Sequence, residues 1–260
     1  MVPAFARKDG VVKLSAVVLT RNEEANITDC LRTIAWADER LVVDSGSADA
    51  TCDLARNLGA KVIYHPFRDF ADQRNFAMRE AEGDWVLFVD ADERVTPELA
   101  SEIQAHLKAD SAPRAYAIPR QTYFFGKRLR FSESREDAPF RLFPRGQVRW
   151  IQPVHEKIET TLPSQKLTQP MLHFSTRNLT HYIAKFPTYL ACELATMHEK
   201  NVRPSLFDCA LRPPARFIHL YFWKLGILDG IAGFQYAILS AYYTFKKHWM
   251  YFKTTRNAKG

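Results

Sequence analysis

Glycine is scarce in this chain, ten residues in 260, and none of them forms a glycine-rich loop after an apolar run. The turn that follows the first such run reads TRNEEAN, so the phosphate cradle a nucleotidyltransferase would want there is missing. Cysteine is scarce too. Cys30, Cys52, Cys192 and Cys209 lie far apart, without a CxxC pair or a Cys/His cluster, which excludes a disulfide framework and suits a reducing compartment. Residues 1–10 carry charges where a secretory signal would be apolar, so the chain is expected on the cytoplasmic side. An unbroken membrane span is missing as well: residues 217–245 have the length, but His219, Lys224 and Asp229 interrupt them, and Gly226, Gly230 and Gly233 weaken any single helix. The net charge of +7 and pI near 9.2 admit an anionic partner. The basic residues form no stripe and no recognition motif, which argues against nucleic acid.

What is present is a length and a hydrophobic share, 47%, sufficient for one sizeable core with an appendage. LSAVVLT is short, β-branched and apolar, the pattern of a buried strand. Behind it, Ile27, Leu31 and Ile34 recur at helical spacing after a helix start at Asn22, Glu23 and Glu24. The alternation repeats: a strand over 40–43, the turn DSGSADAT, a helix toward Gly59, the strand KVIY, a helix over 70–81 and the strand WVLFV. Thr96, Pro97 and Glu98 then open a further helix as cap, first helical residue and first-turn acid. This order predicts βαβ units: an α/β fold, Rossmann-like, with a mostly parallel sheet and helices on both faces. Weaker strands are expected over 115–118, 140–143, 148–151 and 156–161. From Asn178 onward helices are expected, broken at Pro187, and residues 203–216 read as a proline-containing link. Two domains follow, 11–177 and a C-terminal helical extension, 178–255.

In such sheets ligands gather at the carboxyl ends of strands, where this chain places acids. Asp90-Ala91-Asp92-Glu93 ends an apolar strand, and two carboxylates spaced i and i+2 suit Mg²⁺ or Mn²⁺ bridging phosphates. Asp44 ends another strand and can accept a hydrogen bond from a base N–H. Asp49 is assigned mainly to capping the next helix. Thr20, Asn22 and Glu23 form the matching turn after the first strand, where a ribose or base would lie, although a helix cap explains them equally.

Together VVLTRNEEANI, VVDSGSADAT, ADQRNFAMREAEGDWVLFVDADE and, downstream, RLF and PVHE resemble the inverting GT-A-fold glycosyltransferases of family 2. Within that family the chain is similar to the small bacterial enzymes typified by lipopolysaccharide inner-core β-1,4-glucosyltransferases. The resemblance is dense over 14–95 and returns in FWKLGILDGIAGFQYAILSAYYTF. It implies a GT-A catalytic domain, UDP-glucose as donor and a nucleotide-sugar site made of Thr20, Asn22, Glu23, Asp44, Gln73, Arg74, Asn75, Asp90 and Ala91. Asp90 and Asp92 would be the DXD pair, Asp92 the more direct metal ligand, and Mg²⁺ or Mn²⁺ the cofactor.

An inverting transfer needs a base for the acceptor hydroxyl. Glu156 in PVHE is the favoured candidate, and Asp137, beside Glu136, the second, because the wider family often shows a Glu-Asp pair there. His155 is a metal ligand, a phosphate contact or a structural histidine. In the tail, Arg212, Arg216, Lys224, Lys246, Lys247 and Lys253 punctuate an aromatic-rich third of the chain, a mixture that suits a membrane interface. Two helices hinged near Asp229-Gly230 and lying in the interface are expected, against the alternative of an ordinary helical subdomain. The expected partners are a nucleotide-sugar, a lipid-linked glycan acceptor and a membrane surface. The expected place is the cytoplasmic face of the inner membrane, peripheral or monotopic.

Overall fold

The computed structural model describes residues 12–109, 112–151, 157–202 and 205–257. Its first half alternates strand and helix: β1 (Leu14–Thr20), α1 (Glu24–Thr33), β2 (Glu39–Asp44), α2 (Thr51–Asn57), β3 (Lys61–Tyr64), α3 (Phe70–Glu80), β4 (Trp85–Asp90), β5 (Glu93–Val95) and α4 (Pro97–Lys108). Short strands follow: β6 (Ala115–Ala117), β7 (Arg120–Phe124), β8 (Lys127–Arg128), β9 (Phe140–Pro144), β10 (Arg149–Trp150), β11 (Ile158–Glu159), β12 (Ser164–Lys166) and β13 (Met171–Thr176). The chain ends in α5 (Leu179–Ala184), α6 (Phe186–Glu199), α7 (Leu206–Ile218) and α8 (Gly230–Asn257). It divides into two compact units, one running to Arg120 and resuming over Ala138–His173, the other made of Gln121–Asp137 and the chain from Phe174 onward.

The first unit is built on a seven-stranded sheet ordered β12-β6-β9-β4-β1-β2-β3. β3, β2, β1 and β4 run parallel, and β9 is antiparallel to both of its neighbours. The period-two alternation of strand side chains sorts the core into two layers. Ala16, Val18, Val42, Leu87 and Val89 pack with Ile27 and Leu31 of α1, Ala55 of α2 and Leu99 and Ile103 of α4. Their neighbours Val17, Leu41, Val43, Val86 and Phe88 face the other way, onto Ala71, Ala77 and Met78 of α3. Helices thus cover both faces of a mostly parallel sheet, as the sequence pattern requires. Thr96 caps α4 by accepting from Leu99 N at 3.1 Å, with Pro97 at the first helical position. Beside it, β5 pairs antiparallel with β13, setting His173 opposite Glu93.

The second unit is helical apart from the β7–β8 hairpin and the end of β13. Its small core joins Phe124, Leu129 and Ala232, with Tyr182 and Tyr236 packed against them. Of residues 203–216, expected as a link, the described ones from Ser205 onward belong to a helix: α7 runs through Pro213 and Pro214, capped by Ser205, whose Oγ accepts from Phe207 N at 3.1 Å. The two prolines remove amide donors from the middle of that helix, and α7 persists by packing along α8. Between α7 and α8 the chain breaks over a π turn, His219–Trp223, and a 3₁₀ turn, Gly226–Asp229. The expected hinge at Asp229-Gly230 is therefore where α8 begins. Gly226 and Gly233 are needed for close approach there: a Cβ on Gly233 would lie 1.8 Å from Gly226 O. The segment 130–136 clasps this break, Asp229 accepting from Arg130 N at 2.9 Å and Phe131 N at 3.0 Å. Arg216 pairs with Glu133 at 2.7 Å and Lys224 with Glu136 at 3.2 Å. Among the described residues no helix is long and apolar enough to cross a membrane.

Candidate functional site

Strand order reverses between β1 and β4, because the chain moves outward from β1 to β2 and β3 and then places β4 on the other side of β1. At such a switch point the loops leaving the two strands part and open a crevice at their carboxyl ends. Register puts the acids level with one another: Thr20 lies opposite Asp44 and Leu19 opposite Asp90. Asp44 and Asp90 are thus two strand spacings apart across β1, roughly 10 Å.

The loops after β1 and β2 are laced together. Ser45 N donates to Thr20 O at 3.0 Å, Asn22 N to Ser47 Oγ at 2.8 Å, and Ala48 N to Asn22 Oδ1 at 2.8 Å. Asn22 holds a left-handed backbone, φ +56°, which asparagine tolerates better than most residues. Asp49 accepts from Thr51 N of α2 at 3.0 Å and from Glu24 N of α1 at 3.2 Å, while Ala50, and not Asp49 as expected, holds the cap position of α2. Glu23 holds Asn26 Nδ2 at 2.7 Å. Buried Asp44 takes four hydrogen bonds: Gly46 N and Ser47 N, each at 2.9 Å, on Oδ2, and the Ser47 and Thr20 hydroxyls on Oδ1. Burial pushes its carboxyl up, but these donors, Ser47 foremost, outweigh burial and hold it below the ordinary value.

On α3 the three consecutive candidates diverge. Gln73 donates to His65 O at 3.0 Å, and Asn75 exchanges two hydrogen bonds with the backbone of Trp150, at 2.9 and 3.0 Å. Arg74 instead reaches Asp90 Oδ1 at 3.1 Å across the Phe88 ring. A second guanidinium, from Arg141 on β9, meets both Asp90 oxygens. Buried Glu93 completes the network, taking Arg141 at 2.8 Å and Arg120 at 3.2 Å on Oε1 and Asp90 N at 2.9 Å on Oε2. Burial opposes ionisation of Asp90, but Arg141, Arg74 and Arg120 outweigh it and hold its carboxyl far below the usual range.

Ala91 is buried, and its carbonyl accepts from Arg94 Nη1 at 2.9 Å, which ties down the turn between the two aspartates. Asp92 lies beside His173, whose Nε2 is 3.7 Å from Oδ1. Among the described residues no three His, Cys, Asp or Glu side chains converge as a complete metal cage. Cations that bridge phosphates need only one or two protein carboxylates, and the Asp92 carboxylate is a hard oxygen donor of the kind that suits Mg²⁺ or Mn²⁺.

Asp137 lies in the second unit, half-buried, next to the Glu136 that pairs with Lys224. His155 and Glu156 fall outside the described residues. Sequence pattern included Glu93 in the acidic run but gave it no role, and it did not single out Arg120, Arg141 or His173 as members of this cluster. Arg141 stands 51 residues from Asp90, and no local spacing announces that pairing.

Acids and arginines at the carboxyl ends of the strands around the switch point of a covered, mostly parallel sheet are the arrangement of an α/β protein that takes ligands at its strand ends. The chain belongs to glycosyl transferase family 2, whose model matches residues 15–174, more than half of its length, and it is a glycosyltransferase. It is 29% identical to the lipopolysaccharide core biosynthesis glycosyltransferase LpsC of Rhizobium meliloti, over 90% of this chain and 93% of that one. An uncharacterised glycosyltransferase of Rickettsia bellii is 25% identical over 90% and 84% of the two chains. A solved glucosyl-3-phosphoglycerate synthase from Mycobacterium tuberculosis, in complex with Mn²⁺, UDP-glucose and phosphoglyceric acid, is similar at 25% identity, with a TM-score of 0.37. The match covers 43% of this chain and 44% of that one, less than half of either.

Proposed function

We propose that this glycosyltransferase moves glucose from UDP-glucose, with inversion, onto a hydroxyl of a membrane-bound glycolipid such as the lipopolysaccharide inner core. The observation that carries the reading is the alignment of Thr20, Asp44 and Asp90 on three neighbouring strands at one sheet edge, where strand order reverses. In this reading the nucleoside lies over the loops after β1 and β2, and a base N–H or ribose hydroxyl replaces one of the hydrogen bonds around Asp44, Asn22 or Glu23. Gln73 and Asn75 hold α3 in place through the His65 and Trp150 backbones, so that Arg74 faces the diphosphate. Asp92, with His173 beside it, would hold Mg²⁺ or Mn²⁺. When bound, such an ion supplies charge neutralisation to the departing nucleoside diphosphate. Glu156 takes the proton of the attacking hydroxyl, with Asp137 as the second candidate. His155 is a further candidate contact to the ion or the phosphates.

The name of the Rhizobium relative supports the acceptor class. So does the second unit, which leaves Phe207 78% and Trp223 80% exposed, with Leu206, Leu228 and Ile231 also outward. Lys246 lies over the Tyr242 ring and Lys253 over Trp249, cations beside aromatics as a headgroup layer favours. The proposed place is the cytoplasmic face of the inner membrane, with the second unit lying on the surface.

A thermal-shift screen of nucleotide-sugars with Mn²⁺ tests the donor: UDP-sugars should stabilise the protein only with metal, and Asp92→Asn should abolish that gain. Indifference to every nucleotide would defeat the reading. Glu156→Gln should lower turnover about 10²–10⁴-fold with donor binding intact. A mild loss would point instead to a phosphate acceptor, such as a polyprenyl phosphate, which needs no strong base.

A further inference from the structure

Asp90 combines two properties that rarely meet. About a third of its side chain is open to solvent, 32%, yet both carboxylate oxygens are already taken by guanidiniums that are themselves almost wholly buried, Arg74 at 7% and Arg141 at 5% exposure. Arg74 Nη2 donates to Oδ1 at 3.1 Å, and Arg141 spans Oδ1 and Oδ2. Behind this pair Glu93, with no exposed side-chain surface, braces Arg141 at 2.8 Å and Arg120 at 3.2 Å. Of the two acids that hold these guanidiniums, Asp90 is the more exposed.

Buried guanidiniums deprived of a counter-ion are strongly destabilising, so a site that must receive an anion has to carry one of its own while it waits. A carboxylate is the side-chain group that imitates a phosphate most closely toward arginine: it presents two oxygens that accept the fork of N–H donors. We propose that Asp90 is an internal stand-in for the donor's diphosphate, holding Arg74 and Arg141 until phosphate oxygens replace it. On this view Arg141 is a donor-binding residue, and Glu93 is a positioning residue that keeps its guanidinium aimed at the crevice. The exchange is one anion for another, with no covalent bond made or broken. Its consequence is coupling: the Asp90 carboxylate is released for the ribose or the metal only when a diphosphate has taken its arginines. The inference rests on reading this crevice as the donor site.

The stand-in makes an unusual demand, because removing an acidic site residue must improve binding of an anion. The full-length chain and its Asp90→Asn and Asp90→Ala variants are titrated calorimetrically with inorganic pyrophosphate in EDTA, and their melting temperatures are followed with and without pyrophosphate. Both variants should bind pyrophosphate about tenfold or more tighter than the parent, the weight of one charge-assisted hydrogen bond. Adding Arg141→Lys should cancel the gain. If loss of Asp90 leaves the fold too weak for calorimetry, pyrophosphate should restore the melting temperature, and sodium chloride at equal ionic strength should not. Pyrophosphate binding unchanged or weakened in the variants, or no specific rescue, overturns the proposal. A parent protein that binds UDP-glucose with Mn²⁺ while the variants show no gain would leave the donor site standing and remove only the stand-in. A parent that binds no nucleotide would remove both.

Discussion

The two units of this chain reach stability by opposite routes. In the first, apolar side chains are sorted to the two faces of a sheet and the polar ends of its strands are saturated with hydrogen bonds: Asp44 alone accepts four, and Asp90 and Glu93 share three arginines. In the second, aromatic rings and small residues do the packing, as where Ala237 and Ala241 sit buried on α8 while Phe207, Trp223 and Ile231 face outward. Its polar contacts tie helices and loops together, as Asp229 does on the Arg130 and Phe131 amides at the helix break and Lys247 does with Glu193 at 2.6 Å between α8 and α6. The contrast teaches what each surface is suited to meet. Charged ligands need donors fixed in advance, because reorganising dipoles costs part of the binding energy. An apolar phase needs only exposed hydrophobic area held on a scaffold that tolerates it.

The largest effect that would sharpen this contrast is confined to chemistry. Asp92→Ala should lower transfer, followed by UDP release, about a hundredfold or more while the melting temperature stays near that of the parent. A collapse of the fold would show that the acid belongs to the core and not to the crevice. Next in size is a change confined to the second unit. Gly233→Ala forces a Cβ against Gly226 O and should cost about 1–3 kcal/mol or more in denaturant unfolding. Asp229→Ala, which orphans two amides, should cost about 1–3 kcal/mol. Both should leave nucleotide binding in place, and equal loss of nucleotide binding would break the distinction between the units.

Smaller again is the surface effect. Phe207→Ser and Trp223→Ser should each weaken partition onto anionic vesicles by about 1.5–3 kcal/mol, with folding stability changed by less than about 0.5 kcal/mol. Partition unchanged in the double variant would remove the proposed membrane role. The smallest effect is in acid. Asp44 and Asp90 both have folded carboxyls held below their ordinary values, so their contribution to stability is complete above the unfolded value and is lost as pH falls through the folded ones. Stability should therefore decline from about pH 5 downward, and less steeply for Asp44→Asn, as read from denaturant midpoints.

Legibility from sequence followed the length and periodicity of each element. β1, β2, β3 and β4 are continuous or alternating apolar runs, and Thr96-Pro97 spells a helix start, so all five features could be read locally. β5, β8 and β12 have two or three residues, too few to carry a period, and they exist because a neighbouring strand offers partners. α7 was hidden by Pro213 and Pro214, whose local preference is overridden by packing along α8. Of the candidate site, Thr20, Asn22, Asp44, Asp90 and Asp92 could be picked out as candidates because they stand at, or just after, the ends of readable strands. Arg141 and His173 were not, since each matters only through a partner brought near by the sheet.

By itself, then, the order of residues determined which segments alternate between strand and helix, and therefore that acids would collect at strand ends. Those choices depend on backbone preference and side-chain period within a dozen residues. Tertiary structure alone decided that β4 lies beside β1 on the side away from β2, that Arg74 and Arg141 close on Asp90 while Asp92 lies beside His173, and that residues 121–137 group with the C-terminal helices. Ion pairs and strand neighbours form between groups far apart in the chain, and their energies depend on distance and burial, which only the folded arrangement sets.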